Sequence, residues 1–187
     1  MEKEKKTILG IIGTVGSGKD TASDYISKKL SISVFQISQP LKDLAKEKNI
    51  EPTRENLIQI GSDLVKQNGP DFLAKLVLDK VIGEKGIVTG IRVVEIIEYM
   101  RKNSNFILLG IESEIQTRFE RSIIRNKLGE ATTLEQFDLN EQKENSAPNA
   151  QRLFECLKMA DYSIENNGSL EEFYQKCDLF LEKFAFK

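Results

Sequence analysis

Short apolar runs alternate along the chain with segments in which apolar residues recur every three or four positions. Residues 7–12, 31–37, 86–90, 106–111 and 162–164 predict strands. The first run is apolar without alternation, which is typical of a strand buried on both faces of a parallel sheet. The segments between the runs have the 3.6-residue period of amphipathic helices. Strands that alternate with helices predict an α/β fold with a doubly wound parallel sheet.

Hydroxyl residues at the starts of the helical segments predict where the helices begin, because their side chains accept hydrogen bonds from free backbone N–H groups. A glycine and a proline at positions 69 and 70 predict a break between two helices. Three single caps and two capping boxes are predicted: Ser38, Thr53, Ser113, Thr132 with Glu135, and Ser169 with Glu172.

Length and composition narrow the class of protein. The 187 residues predict one domain over residues 1–187. With no histidine and two cysteines, Cys156 and Cys177, the chain cannot build a Cys/His zinc cluster or a histidine-dependent nucleophile. We expect reduced thiols and a cytoplasmic location. We also expect no membrane partner, since no apolar run reaches roughly 18 residues. A net charge of -2 argues against nucleic acid as a partner.

The segment between the first strand and the first helix has the spacing of a phosphate-binding loop: glycine, four residues, glycine and lysine. Glycines allow positive φ, so successive backbone N–H groups can converge on phosphate oxygens, and the following helix adds its dipole. Lys19 would supply a charge at the β- and γ-phosphates of ATP. The predicted nucleotide site comprises Gly13, Thr14, Val15, Gly16, Ser17, Gly18, Lys19, Asp20 and Thr21.

Asp20 stands where this type of loop usually has a serine or threonine that binds Mg²⁺. Two interpretations remain open: Asp20 holds the metal directly or through water, or it is a first-turn carboxylate favoured by the helix dipole while Thr21 reaches a phosphate. The third strand ends in Thr89, where many such proteins carry a carboxylate. Glu95 or Asp20 would have to replace it, or the nucleotide and waters hold the metal.

Several arginines are candidates for phosphoryl transfer, which depends on positioning and charge neutralisation. Arg118, Arg121 and Arg125 lie three and four residues apart and share one predicted helix face. Because that helix leads into a long polar stretch, we expect a lid insertion at about residues 118–149. The alternative is a solvated basic helix face.

Two more arginines are candidates for binding the phosphate acceptor. Arg92 follows the third strand, at the sheet edge where ligands bind in open parallel sheets, and it is also a catalytic candidate. Arg54 opens one of the helices predicted between residues 38 and 83, where an acceptor would need a cation. For both, a surface arginine without a ligand is the alternative.

Residues 16–21, Gly-Ser-Gly-Lys-Asp-Thr, resemble the phosphate loop of the deoxynucleoside monophosphate kinases. Residues 35–44 and 54–61 are similar to the segments that follow the second strand of those kinases, and residues 89–95 match their strand end in part. Residues 160–172 resemble a tail shared with dephospho-coenzyme A kinases. The resemblance implies a P-loop NTPase fold, a three-layer α/β/α domain with a five-stranded parallel sheet and a helical lid. It also implies membership of the nucleoside monophosphate kinase group.

The nature of the acceptor separates these two relatives. A hydroxyl acceptor benefits from a carboxylate base, and dephospho-coenzyme A kinases place an Asp after the second strand, where residues 36–38 here are Gln-Ile-Ser. A monophosphate is already an anion and needs only cations. We therefore predict a Mg²⁺-dependent transfer of the ATP γ-phosphate to a (deoxy)nucleoside monophosphate.

Two alternative functions stay open: a dephospho-coenzyme A kinase or another hydroxyl-directed small-molecule kinase, and a nucleotide-binding regulator without transfer. Asn167 and Gly168 follow the last strand and either border the adenine or form a plain turn. A monomer or a homodimer is expected.

Overall fold

The computed structural model describes residues 5–125, 131–146, 152–184 and 186, apart from the side chains of Arg54, Glu144 and Ser146. Within this part of the chain, one sheet of five parallel strands has the order β2-β3-β1-β4-β5. The strands are β1 (Thr7–Gly13), β2 (Val34–Gln36), β3 (Lys85–Thr89), β4 (Asn105–Glu112) and β5 (Tyr162–Glu165). The second strand is shorter than predicted, because Ser31 adopts a left-handed conformation and ends the preceding helix.

Helices connect the strands and cover both faces of the sheet. In the described residues they are α1 (Lys19–Leu30), α2 (Gln39–Glu47), α3 (Arg54–Asn68), α4 (Phe72–Lys80), α5 (Val94–Asn103), α6 (Ile115–Ile124), α7 (Leu134–Ser146), α8 (Leu153–Lys158) and α9 (Leu170–Lys183). None of these is long and apolar enough to cross a bilayer.

The two faces of the sheet bury separate cores, and β1 contributes alternate residues to each. Ile8 and Ile12 pack in the core beneath α2–α5 and α8, whereas Leu9 and Ile11 pack against α1 and α9. This alternation follows from the two-residue period of a strand. The predicted three-layer α/β fold is confirmed.

A small third cluster joins α6 and α7 in the region of the predicted lid. Phe119 of α6 packs against Phe137 of α7 and against Ala131. These residues lie within the predicted insertion at 118–149, of which residues 126–130 and 147–149 lie outside the described residues. This small core fixes the position of α7 against α6.

Of the five predicted helix caps, two are confirmed, one is confirmed in position only, and two are wrong. Thr53 accepts a hydrogen bond from Asn56 N at 3.2 Å, and Ser169 forms its capping box with Glu172. Thr132 does not cap α7, because the helix begins one residue later and Thr133 accepts from Gln136 N instead. Ser38 precedes α2 as predicted, but its side chain makes no cap hydrogen bond.

The cap predicted at Ser113 is wrong for a tertiary reason. The N-cap of α6 is Glu114, which makes no side-chain cap bond. Asn167, in the connection after β5, accepts hydrogen bonds from both Ser113 Oγ and Glu114 N at 2.9 Å. The Ser113 hydroxyl therefore donates to a side chain from a distant segment and does not accept from the helix as the local pattern predicts.

Candidate nucleotide site

The phosphate-binding loop lies where the sequence predicts it, between the buried strand β1 and the first turn of α1. Gly16 and Gly18 have positive φ values of 80° and 101°, and Gly18 is the N-cap of α1. Ser17 N donates to Thr14 O at 3.2 Å and closes the turn. A loop of this shape presents free N–H groups at a helix N-terminus, which is a general anion-binding arrangement.

Close packing also explains why two loop positions are glycine. A Cβ on Gly16 would lie 2.5 Å from the carbonyl oxygen of Arg118 in α6. A Cβ on Gly18 would meet the side-chain amide of Asn166. The loop is therefore pressed between α6 and the connection that follows β5, and its shape depends on both.

Lys19, Asp20 and Thr21 form the first turn of α1. Lys19 Nζ lies 3.7 Å from Asp20 Oδ2, and the Asp20 side chain is 61% exposed. The Ser17 hydroxyl is buried and has no hydrogen-bond partner among the described residues. The loop thus combines a cation with exposed carboxylate oxygen, a set that fits a polyphosphate with its metal.

No three His, Cys, Asp or Glu side chains of the described residues lie together as a metal cluster. Asp20 and Thr21 offer the hard oxygen ligands that Mg²⁺ prefers. A magnesium ion here would take its remaining ligands from nucleotide phosphates and water, which is the usual arrangement in ATP-dependent phosphotransferases.

Arg118 is buried at the contact between α6, α7 and the loop. Its guanidinium donates to both carboxylate oxygens of Glu141 in α7, at 2.5 and 2.9 Å, and lies over the ring of Phe137. It also donates to Ser113 O at 3.0 Å and to Val15 O in the loop at 3.3 Å. Arg118 therefore ties α7 to the phosphate loop.

The other two arginines of α6 have different surroundings. Arg121 donates to Asn166 O at 2.9 Å and to Ser113 Oγ at 3.4 Å. Burial, together with the nearby charge of Arg125, lowers the pKa of the Arg121 guanidinium. Arg125 is exposed where α6 ends. The three arginines share a helix, but protein groups already hold two of them.

The connection between β5 and α9 touches the loop through a residue that the sequence analysis did not single out. Asn166 is 7% exposed and donates from Nδ2 to Ser17 O at 2.8 Å. Asn167 accepts from the N–H of Glu114, the N-cap residue of α6, and a Cβ on Gly168 would clash with the Glu172 carboxylate of the capping box. The only sequence signal for Asn166 was its place beside the predicted pair Asn167 and Gly168.

A cleft of about 1120 Å³ opens at the carboxyl edge of the sheet, on the side of α2 and α3. β3, whose end it adjoins, is hydrogen-bonded to β1, so the cleft and the phosphate loop lie at the same sheet edge. Its described lining is aliphatic and polar: Ile37, Ser38, Leu41, Pro52, Leu57, Ile58, Gln59, Gly61, Ser62, Val65, Pro70, Leu73, Gly90, Arg92, Val93, Glu95, Ile96, Asn145, Arg152 and Glu155. The volume suffices for a nucleotide-sized ligand.

Two arginines face this cleft, and one of them is a functional candidate that sequence reasoning missed. Arg92 lines the cleft as predicted, and Arg54 begins α3, although its side chain lies outside the described residues. Arg152, the N-cap of α8, donates from Nη2 to both carboxylate oxygens of Glu95 and lies 3.6 Å from Glu155 Oε2. Nothing in the local sequence pairs Arg152 with Glu95, 57 positions earlier.

The ion pair keeps Glu95 charged. Burial by itself raises the pKa of Glu95, but hydrogen bonds from its own backbone N–H and from Arg152 outweigh burial and lower that pKa below its usual range. Thr89, at the end of β3, is buried and has no carboxylate to offer a metal. Glu95 was one of two expected replacements, and its carboxylate is held by Arg152 in the cleft.

Comparison with solved structures identifies the fold. A shikimate kinase from Bacteroides thetaiotaomicron has a TM-score of 0.60 at 13% identity, covering 96% of this chain and 98% of that chain. The Mycobacterium tuberculosis APS kinase in complex with AMPPNP and APS has a TM-score of 0.55 at 15% identity, covering 96% and 99%. The chain thus has the fold of the P-loop kinases.

Sequence comparison identifies the family. No family model matches the chain. The UPF0200 protein of Pyrococcus horikoshii is 30% identical over 184 residues, which is 94% of this chain and 96% of that protein. The chain belongs to the UPF0200 family. A UPF0200/UPF0201 protein of Archaeoglobus fulgidus is also 30% identical over 185 residues, but the chain spans only 56% of its length.

Proposed function

We propose that this protein is an ATP-dependent phosphotransferase that moves the γ-phosphate of ATP to a small anionic acceptor of the nucleoside monophosphate class. The observation that carries the proposal is the adjacency of two sites at one sheet edge. A phosphate-binding loop follows β1, and a cleft with two arginines adjoins the end of the neighbouring strand β3. Transfer between two bound phosphates requires this kind of juxtaposition.

On the donor side, the N–H groups of residues 13–19 and Lys19 would bind the β- and γ-phosphates. Asp20 and Thr21 would hold Mg²⁺, which neutralises charge on the phosphates when it is bound. Arg125 is exposed at the end of α6 and is therefore accessible to the transferred group. Arg121 would add positive potential from the same helix, whereas Arg118, whose charge is paired with Glu141, would hold the loop in place.

On the acceptor side, Arg92 and Arg152 would bind the acceptor's phosphate, with Arg54 as a further candidate at the start of α3. Among the described residues, the two carboxylates that line the cleft, Glu95 and Glu155, lie against Arg152. An ionised carboxylate whose pKa is lowered by an arginine is a weak general base. This favours an acceptor that is already an anion over one that must lose a hydroxyl proton.

The test is a panel of acceptors incubated with the full chain, ATP and Mg²⁺, with products separated by ion-exchange chromatography. We expect ribo- and deoxyribonucleoside monophosphates to yield diphosphates together with ADP. A phosphorylated product from dephospho-coenzyme A alone would assign the hydroxyl-directed alternative. ATP binding by calorimetry without transfer to any acceptor would assign a regulator and overturn the proposal.

A further inference from the structure

We infer that Asn166 is a positioning residue that sets the phosphate loop in its anion-binding shape, and that Arg121 acts through it. The inference rests on the proposed function, because it concerns the same nucleotide site. It assigns a role to a side chain in the connection between β5 and α9, 149 positions from its partner in the loop.

The contact between Asn166 and the loop controls the direction of a backbone N–H group. Asn166 Nδ2 donates to Ser17 O at 2.8 Å. In a planar trans peptide the carbonyl oxygen and the next N–H point in opposite directions. By holding the Ser17 carbonyl away from the loop's concave side, Asn166 turns the Gly18 N–H toward that side, where a phosphate oxygen would bind.

The same amide accounts for the glycine at position 18. A Cβ there would meet Asn166 Nδ2, so the amide occupies the space that any other residue's side chain would need. Gly18 also has a φ of 101°, which L-residues rarely adopt. The glycine at position 18, its positive φ and its close packing are therefore all consistent with the Asn166 amide lying against the loop.

Asn166 is itself fixed from two sides. Its backbone N–H donates to Glu112 O at the end of β4 at 2.8 Å, and its carbonyl accepts from Arg121 Nη1 at 2.9 Å. The Arg121 guanidinium is half-buried, so this bond forms where water competes weakly. Arg121 thus reaches the loop through Asn166 and qualifies as a second positioning residue.

The first experiment measures ATP binding with Mg²⁺ by calorimetry for wild type and Asn166→Ala, a change that removes the donor and adds no charge beside the phosphates. We expect the dissociation constant to rise about 10-fold, the effect of losing one buried hydrogen bond. Asn103→Ala is the control for loss of an amide donor, because Asn103 Nδ2 also donates to a backbone carbonyl, Tyr99 O, at the exposed end of α5. Its affinity for ATP should stay at the wild-type value.

Binding is measured well below the thermal midpoint of each variant, so that only folded protein is compared. A purely structural role would lower the midpoint of Asn166→Ala and leave the affinity of the folded protein unchanged, and that result would overturn the inference alone. A wild-type protein that binds no ATP would overturn the proposed function and the inference with it.

The second experiment tests the role of Arg121 with Arg121→Met, Asn166→Ala and the double variant. If Arg121 acts through Asn166, the double variant should bind ATP no more weakly than the weaker single variant. Arg121→Lys should keep part of the affinity, because it retains a charged donor. If the losses of ATP affinity in the two single variants multiplied in the double variant, Arg121 would act directly. A fall in kcat with unchanged ATP affinity in Arg121→Met would show the same. Either result would overturn this part of the inference.

Discussion

The phosphate loop and the cleft proposed to bind the acceptor are neighbours at one sheet edge, but the chain builds them in different ways. The loop is one continuous stretch, and the groups proposed to bind phosphate are mostly backbone N–H groups placed by glycines. The cleft gathers side chains from α2, α3, the β3–α5 connection and α8. A site made of consecutive backbone groups tolerates few substitutions within the loop itself. A site gathered from several segments depends on ion pairs such as Arg152 with Glu95, and therefore on the fold.

From this difference between the two sites, we expect the largest loss of activity for Lys19→Ala. Because Lys19 is the one side-chain cation within the loop motif itself, its removal should lower kcat by about three orders of magnitude or more while the protein stays folded. Steady-state kinetics and circular dichroism measure the two properties. Lys28→Ala, an exposed position on the same helix, is the control. Near-normal turnover in Lys19→Ala would refute the assignment of the loop.

The cleft should respond differently to loss of a cation. Arg152→Met should raise KM for the acceptor about 10- to 100-fold, the loss of charge-assisted hydrogen bonds, and leave the affinity for ATP unchanged. Arg101→Met is the control, since Arg101 has the same 38% side-chain exposure and is also held in an ion pair, with Asp161, away from the cleft. If both variants changed acceptor KM equally, the cleft would not be the acceptor site.

A comparison of Gly18→Ala with Gly83→Ala tests whether packing at position 18 of the phosphate loop matters for ATP binding. Gly18→Ala should weaken ATP binding about 10-fold, because a Cβ there both strains the backbone and displaces the Asn166 amide. Gly83→Ala introduces a Cβ at a φ of 82° with nothing within 4 Å, so only the backbone strain is shared. Thermal melts should show both variants destabilised, and calorimetry should show lost affinity for Gly18→Ala alone. Equal ATP affinity in the two variants would contradict the crowding argument.

The smallest effect concerns the pH dependence of stability. Because the pKa of Glu95 is lowered in the folded state, its ion pair stabilises the fold above the usual pKa of 4.5, and this contribution is lost as the pH falls through the lowered value. The stability difference between wild type and Glu95→Gln should therefore shrink in acid, as urea unfolding at several pH values would show. When Glu95→Gln is introduced into Arg152→Met, the change in the free energy of unfolding should depend much less on pH. If the stability difference between wild type and Glu95→Gln grew in acid, the pKa of Glu95 would not be lowered in the folded state.

The sequence predicted the strands, the helices that connect them and the loop, because each of these depends on neighbouring residues. It failed where a distant residue intervened. Ser113 was expected to cap α6, but its hydroxyl donates to Asn167 from the connection after β5. The shared face of the three arginines on α6 was a geometric prediction, and burial then gave each a different environment.

By itself the sequence determined the order of the strands along the chain and the position of the phosphate loop, since periodicity, glycine conformation and helix starts act over a few residues. Only the tertiary structure decided that Asn166 holds Ser17 and that Arg152 faces Glu95. These contacts join residues 149 and 57 positions apart. Their geometry follows from how the sheet and its helices pack, which local patterns do not encode.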